Sequence, residues 1–127
     1  MDAGSPGAPH FPQAAPIDAY GNGGFRFGGM SHQGSLLCLP DGIWAWPVAN
    51  IAALDEVMLR PVLERAGSLD LFLIGAGRDP CVLPRHLRQL FRAATISVDC
   101  LPTGPAAQTY NILLEEGRRV GAGLIAV

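Results

Sequence analysis

The residues best placed to do chemistry occupy a glycine-rich turn directly after an apolar run. This turn contains Gly75 and Gly77, with Arg78 beside them, between a predicted strand and a predicted helix. Open α/β sheets bind ligands where such strands end. A dinucleotide fingerprint needs a third glycine, and here Pro80 and Pro84 displace the helix from the strand. The turn is therefore either an anion site or a tight turn that simply requires glycine.

Three polar residues further along the chain would complete a cleft at this turn. Asp99 lies near the end of a predicted strand, Asn111 borders the apolar face of a predicted helix, and Arg118 follows that helix. A half-buried amide must find polar partners, and guanidinium groups bind planar anions. The alternative for Asp99 and Arg118 is an ordinary role in a turn or at a helix end. The candidate ligand-binding residues for a small anionic metabolite are Gly75, Gly77, Arg78, Asp99, Asn111 and Arg118.

The sequence shows no recognisable catalytic or metal-binding constellation. None of the three histidines is convincingly placed as a base for a serine, threonine or cysteine nucleophile. The three cysteines are widely spaced and form no CxxC pair, which favours reduced, buried thiols over a zinc site. Lysine is absent, so Schiff-base chemistry and a P-loop lysine are excluded. We therefore expect no enzymatic activity, no metal and no cofactor.

One predicted helix, residues 84–94, carries apolar side chains on one face and arginines on the other. The arginine stripe consists of Arg85, Arg88 and Arg92. Such a stripe either docks an acidic protein partner or is an ordinary solvated face. Nucleic acid binding is disfavoured because no aromatic residues interleave the stripe and the net charge of the chain is -2.

The first half of the chain shows strand signals after a proline-rich start. Residues 1–16 are predicted to form a disordered or extended tail, which leaves residues 17–127 as one α/β domain. Phe25 and Phe27 alternate with Arg26, which predicts a strand with both rings on one face. A β-hairpin follows, in which two apolar runs flank a Pro-Asp-Gly turn and two tryptophans share one face.

The second half alternates helices and strands. Residues 50–66 predict a helix that kinks or restarts at Pro61 and ends at Gly67 in a left-handed conformation. The nearly continuous apolar run at 69–74 predicts a central strand, and the alternating run at 95–101 predicts a strand nearer an edge.

The last predicted helix runs from about residue 105 to 118, before a final strand. Thr103 is its expected N-cap, and Gly117 is expected to allow close approach of this helix to the sheet. These elements predict an α/β fold in which helices cover a sheet. Chain-connection rules alone make the final strand parallel to its neighbours.

Four segments in this order resemble a known family: FRFGG, GSLLCLPDGIWAW, LFLIGAG and TYNILLEEGRRVGAGLIAV. They resemble the uncharacterised α/β domain family numbered 498 among domains of unknown function, whose mitochondrial members include assembly factor 3 of respiratory complex I. The most specific features are the Gly75 and Gly77 turn and residues 110–120. The resemblance implies a three-layer fold around a mixed sheet, with the N-terminal hairpin region on one side and one strand antiparallel.

The resemblance also implies a function. Eukaryotic members help to build complex I, and some bacterial members are linked to membrane-protein biogenesis. It implies a non-enzymatic protein that contacts a respiratory or membrane-complex subunit. The sequence shows no secretory signal, no arginine-rich presequence and no apolar run near the length of about 18 residues that crosses a membrane. We therefore expect a bacterial cytoplasmic protein, not inserted in the membrane, that reaches the inner membrane through its partner.

Overall fold

Glycine turns near the N-terminus connect three short strands into a small antiparallel sheet. The computed structural model describes residues 8–127 and places here β1 (Ala19–Gly21), β2 (Gly24–Phe27) and β3 (Met30–Gln33). Phe25 and Phe27 are buried, whereas Arg26 is exposed, so the alternation of side chains in β2 is confirmed.

A second sheet of five strands forms the centre of the molecule. Its strands are β4 (Leu36–Leu39), β5 (Gly42–Ala45), β6 (Leu71–Gly75), β7 (Ser97–Leu101) and β8 (Val120–Leu124). The order across the sheet is β5-β4-β8-β6-β7. The final strand β8 is parallel to β6 and antiparallel to β4, so the sheet is mixed. β6 is an internal strand and β7 an edge strand, as their apolar patterns predict.

Helices and the small sheet cover the two faces of this central sheet. The helices are α1 (Glu56–Leu63), α2 (Arg85–Ala93) and α3 (Thr103–Glu115). On one face, α1 and α2 bury a cluster that includes Trp44 and the stacked rings of Phe72 and Phe91, 5.7 Å apart. On the other face, α3 and the small sheet bury a cluster that includes Phe27 and Tyr110. The three-layer arrangement is confirmed.

The first helix differs from its prediction at both ends. Asp55 accepts a hydrogen bond from the Met58 N–H at 2.9 Å and caps α1, while Ile51–Ala53 forms a separate 3-10 turn. Pro61 lies inside the helix rather than at a restart. Its missing N–H removes one hydrogen bond from the helix, and packing of buried neighbours compensates. Gly67 does not end the helix and has no left-handed backbone, because α1 has already ended.

The third helix also corrects two expectations. Thr103 is the first residue of α3 and not its N-cap, since its buried hydroxyl instead donates to the Ile125 carbonyl at 2.7 Å. Gly117 makes no close contact with the sheet. It is exposed with φ +77, the left-handed conformation that glycine adopts after a helix.

The chain before Ile17 packs on the domain. The His10 N–H donates to the Ile43 carbonyl at 2.9 Å, and the Ile43 N–H donates to the Phe11 carbonyl at 3.0 Å, along the outer edge of β5. Ala15 is buried, and its carbonyl accepts from the Tyr110 hydroxyl at 3.1 Å. Part of the predicted tail therefore covers a sheet edge. The expectation of disorder for residues 1–7 lies outside the described residues.

Candidate functional site

A cleft of about 470 Å³ lies where the parallel strands β6, β7 and β8 end at the same edge of the sheet. The loops after these strands form one side of it, and the tip of the β1–β2 hairpin forms the other. The cleft is lined by Tyr20, Gly21, Asn22, Gly77, Arg78, Pro102, Gly104, Pro105 and Val127. This is the position at which α/β sheets commonly bind ligands.

The glycine turn after β6 is held from within the fold. A Cβ at Gly75 would lie 3.0 Å from the Thr103 Cα and 3.0 Å from the Leu124 Cδ2, so glycine is needed for packing. Gly77 has φ +103, and its N–H donates to the Thr103 hydroxyl at 3.0 Å. The Thr103 N–H donates in turn to the Gly77 carbonyl at 2.8 Å. Because Thr103 takes both main-chain groups of Gly77, these observations favour the tight-turn hypothesis over an anion cradle.

Only part of the predicted ligand set meets at this cleft. Gly77 and exposed Arg78 line it, whereas Asp99 lines a separate pocket of about 230 Å³ beside β7. Arg118 lies beyond the C-terminus of α3, and its N–H donates to the Leu113 carbonyl at 3.0 Å. The structure therefore does not bring all these residues together in one cleft. Arg118 lies far from the cleft because α3 runs back along the sheet. The C-terminal end of α3 therefore lies at the end of the sheet opposite the cleft.

Asn111 binds main chain in the N-terminal part of the domain. Its Oδ1 accepts from the Ile17 N–H at 2.8 Å, and its Nδ2 donates to the Ile17 carbonyl at 2.8 Å. The amide group thus satisfies both polar groups of one residue, as a neighbouring strand would. Asn111 ties the entry of the small sheet to α3. The position of Asn111 at the border of the apolar helix face predicted that its amide group needs hydrogen-bond partners. In the structure these partners are the main-chain groups of Ile17.

We expect Asn111→Ala to lower the free energy of unfolding by about 2 kcal/mol, because two hydrogen bonds to main chain are lost. Amide hydrogen exchange at Ile17 should accelerate more than at other residues. Gln108→Ala, at an exposed position of the same helix, is the control and should change neither quantity. Unaltered exchange at Ile17 in Asn111→Ala would contradict the assigned role.

Tyr20 and Gly104 form a part of the cleft that the sequence did not reveal. Tyr20 is 47% exposed, and a Cβ at Gly104 would collide with its hydroxyl group. The Gly23 N–H donates to the Val127 carbonyl at 2.7 Å and holds the hairpin tip in place. An aromatic residue beside a glycine-rich turn was the only sequence signal. The hairpin reaches α3 only in the folded chain.

The cleft presents hydrogen-bond donors. The Arg78 guanidinium and the Tyr20 hydroxyl are both at its surface. Among the described residues that line it, no carboxylate, histidine or cysteine side chain is present. Guanidinium and phenol groups are donors of the kind that bind anions, and the described lining residues contain no pair of side chains for general acid–base catalysis.

The three thiols differ in burial. Cys38 is buried within β4, and burial raises the pKa of its thiol to about 12. Cys100 in β7 is partly buried, and burial likewise raises its pKa to about 11. Cys81 lies in the loop before α2, at the same pocket as Cys100. Across residues 8–127, no three His, Cys, Asp or Glu side chains are grouped to hold a metal ion.

We expect Cys81 to react first with an aromatic disulfide reagent at about pH 8, because the thiolate is the reactive form and burial raises the pKa of the thiols of Cys38 and Cys100. Cys100 should react at least roughly tenfold more slowly, and Cys38 only on unfolding. The absorbance of the aromatic thiol that the reagent releases measures the reaction rates of Cys81 and Cys100. Cys81→Ser should remove the fast phase. A fast phase that remains in this variant would refute the order.

Comparisons with known proteins identify the family. The sequence pattern of the family described as "Protein of unknown function (DUF498/DUF598)" matches residues 17–125. An uncharacterised protein of Rhodobacter capsulatus is 40% identical over 95% of this chain and 92% of its own length. NADH dehydrogenase (ubiquinone) 1 alpha subcomplex assembly factor 3 of Rattus norvegicus is 30% identical over 91% of this chain. The match spans 62% of the length of that assembly factor.

Two solved structures share the fold at high sequence identity. A Bartonella henselae protein described as an outer membrane protein is 46% identical, with a TM-score of 0.90 over 93% of this chain and 99% of that one. A Rhodopseudomonas palustris protein is 50% identical, with a TM-score of 0.83 over 94% and 89% of the two chains. In residues 8–127, none of the helices has the length and apolar character needed to cross a membrane. The chain therefore belongs to the DUF498/DUF598 family.

Proposed function

We propose that this protein assists the assembly or biogenesis of a membrane protein complex by binding one of its subunits, without catalysis. The observation that carries this proposal is the similarity to complex I assembly factor 3 over 91% of this chain. Because the matched stretch takes in nearly all of residues 17–127, the shared part is the α/β domain itself. A binding role shared with these relatives would therefore belong to the surface of this domain.

The use of polar groups inside the fold supports binding rather than chemistry. The Ser35 hydroxyl donates to the Val48 carbonyl at 2.7 Å, while Thr103 and Asn111 also bind main chain. These side chains connect strands, loops and α3 to one another. A hydroxyl nucleophile needs an adjacent general base, whereas the Ser35 and Thr103 hydroxyls donate to main-chain carbonyls. The surface that remains for function includes the exposed stripe of Arg85, Arg88 and Arg92 on α2.

Affinity capture tests the proposal directly. The full chain, tagged and produced at its native level in its bacterial host, is recovered from detergent-solubilised membranes, and co-purifying proteins are identified by mass spectrometry. A respiratory or translocation subunit should be enriched over capture with an unrelated tagged protein of similar size. This result would also place the cytoplasmic protein at the inner membrane through its partner. Recovery of the chain alone would overturn the proposal.

A second candidate function is the binding of a small anionic metabolite in the strand-end cleft. The exposed Arg78, which lines this cleft together with Tyr20, favours it. A thermal-shift screen of anionic metabolites should then raise the melting temperature of the natural chain and leave Arg78→Ala unmoved. Arg26→Ala, an exposed arginine outside this cleft, should respond like the natural chain. If no metabolite shifts the natural chain, this candidate is rejected.

A further inference from the structure

The two edge strands of the central sheet, β5 and β7, differ in what pairs with their outer sides. The outer side of β5 is covered by residues 10–11, which exchange main-chain hydrogen bonds with Ile43. In the part of the chain that the structure describes, β7 pairs with β6 on one side and with no strand on the other. An uncovered edge presents unpaired N–H and C=O groups that can pair with another extended segment.

The hydrogen bonds to β6 show which groups of β7 point outward. The Ser97 N–H donates to the Asp70 carbonyl at 3.0 Å, and the Leu101 carbonyl accepts from the Ala76 N–H at 2.7 Å. Main-chain groups of successive residues alternate in direction along a strand. The N–H and C=O groups of residues 97, 99 and 101 therefore point toward β6. Those of Val98 and Cys100 point away from β6, outward in the plane of the sheet.

A groove of about 230 Å³ runs beside this open edge. Its lining residues are Cys81, Val82, Leu83, Arg88, Val98, Asp99 and Cys100. Val82 is 79% exposed, which is high for a valine and leaves an apolar contact point next to the strand. Arg88 reaches the groove from α2. An incoming strand would thus meet the apolar Val82 side chain and the Arg88 cation, with the exposed Asp99 carboxylate also in the lining.

The groove lining holds one cation, Arg88, and one carboxylate, Asp99, and the further arginines of α2 give this side of the domain its preference for an acidic partner. No acidic residue lies between Asp79 and Asp99, a stretch that contains Arg85, Arg88 and Arg92, although the net charge of the whole chain is -2. Two copies of this chain joined along β7 would bring their arginine stripes together. An antiparallel pair centred on the middle of β7 would also place Asp99 opposite itself, and like charges directly opposite are destabilising. The charges therefore disfavour a second copy as the occupant.

We propose that the open edge of β7 binds an extended acidic segment of the partner subunit, which joins the central sheet as an added strand. Main-chain hydrogen bonds to Val98 and Cys100 provide affinity, and an apolar side chain against Val82 with a carboxylate at Arg88 provides selectivity. This inference rests on the proposed function, because it names the surface through which a subunit is held.

Photo-crosslinking in the host cell locates the occupant. The full chain carries p-benzoyl-phenylalanine at position 82, and a matched chain carries it at position 112, where Ile112 is 57% exposed on α3. Crosslinks from position 82 should map by mass spectrometry to one acidic segment of one subunit, and position 112 should not reach that segment. Crosslinks from position 82 only to a second copy of the chain, or to no protein, would overturn the inference.

Surface variants separate this inference from the proposed function. Val82→Asp and Arg88→Glu should each reduce recovery of the partner subunit by about tenfold, the effect of about 1.4 kcal/mol. The controls Ile112→Asp and Arg26→Glu change exposed residues elsewhere and should leave recovery unchanged. If the subunit is recovered equally with Val82→Asp and Arg88→Glu, β7 is not its site, although the proposed function stands. If the natural chain recovers no subunit, both proposals fail.

Discussion

Gly123→Val is expected to lower the free energy of unfolding by about 3 kcal/mol, the upper part of the range for overpacked cores. A Cβ at this position of β8 would lie 2.5 Å from Cη2 and 2.6 Å from Cζ3 of the Trp46 ring. The ring is buried, and its Nε1 donates to the Met58 carbonyl at 3.2 Å, so it cannot swing aside without losing that hydrogen bond. Since valine favours strands more than glycine does, the loss must come from the collision.

Urea unfolding followed by far-ultraviolet circular dichroism measures this loss. Gly67→Ala is the control, because nothing lies within 4 Å of a Cβ at Gly67 and its backbone is not left-handed. Its stability should change by less than about 0.5 kcal/mol. Adding Trp46→Leu to Gly123→Val should recover part of the loss, since neighbouring residues couple. An unfolding midpoint of Gly123→Val equal to that of the natural chain would contradict the close packing of β8.

Thr103→Val is expected to lower the free energy of unfolding by about 3 kcal/mol, because it leaves two main-chain groups without partners. The hydroxyl accepts from the Gly77 N–H at 3.0 Å and donates to the Ile125 carbonyl at 2.7 Å. Thr103 has 0% exposure, so a valine methyl group would take the place of the hydroxyl and leave no space there for water. Valine has nearly the same shape, which makes hydrogen bonding rather than packing the cause.

Thr103→Ser separates the hydroxyl from the methyl group. It keeps both hydrogen bonds and should lose about 1 kcal/mol for the missing methyl group. The amide signals of Gly77 and Ile125 in nuclear magnetic resonance spectra should move in Thr103→Val and stay close to their natural positions in Thr103→Ser. Equal unfolding midpoints for the two variants would show that the hydroxyl is not what joins the strand ends.

The strand-end cleft shows which structural features a local sequence pattern can predict and which it cannot. The apolar run before Gly75 predicted β6 and the glycine turn after it, because strand burial and left-handed backbone are encoded within a few residues. The cleft itself needed the β1–β2 hairpin to meet α3. Tyr20 and Gly104 are far apart in the chain, so no local pattern could pair them.

Thr103 shows why an element can be predicted while its end residue is misread. A threonine before an apolar helix is a frequent N-cap, and only its distant partners reveal another role. Its hydroxyl binds Ile125, 22 positions along the chain. The N-cap prediction failed because a tertiary hydrogen bond outcompeted the local one.

By itself, the sequence determined six of the eight strands in the described residues, the amphipathic faces of α2 and α3, the internal position of β6 and the edge position of β7, whereas β1 and β3 were not predicted. These follow from the spacing of apolar side chains, which is a local property. Only the tertiary structure decided that Asn111 binds Ile17, 94 positions away, and that Asp99 and Arg118 lie outside the cleft. It also decided that the chain covers one sheet edge and leaves β7 open, because strand order depends on contacts between distant segments.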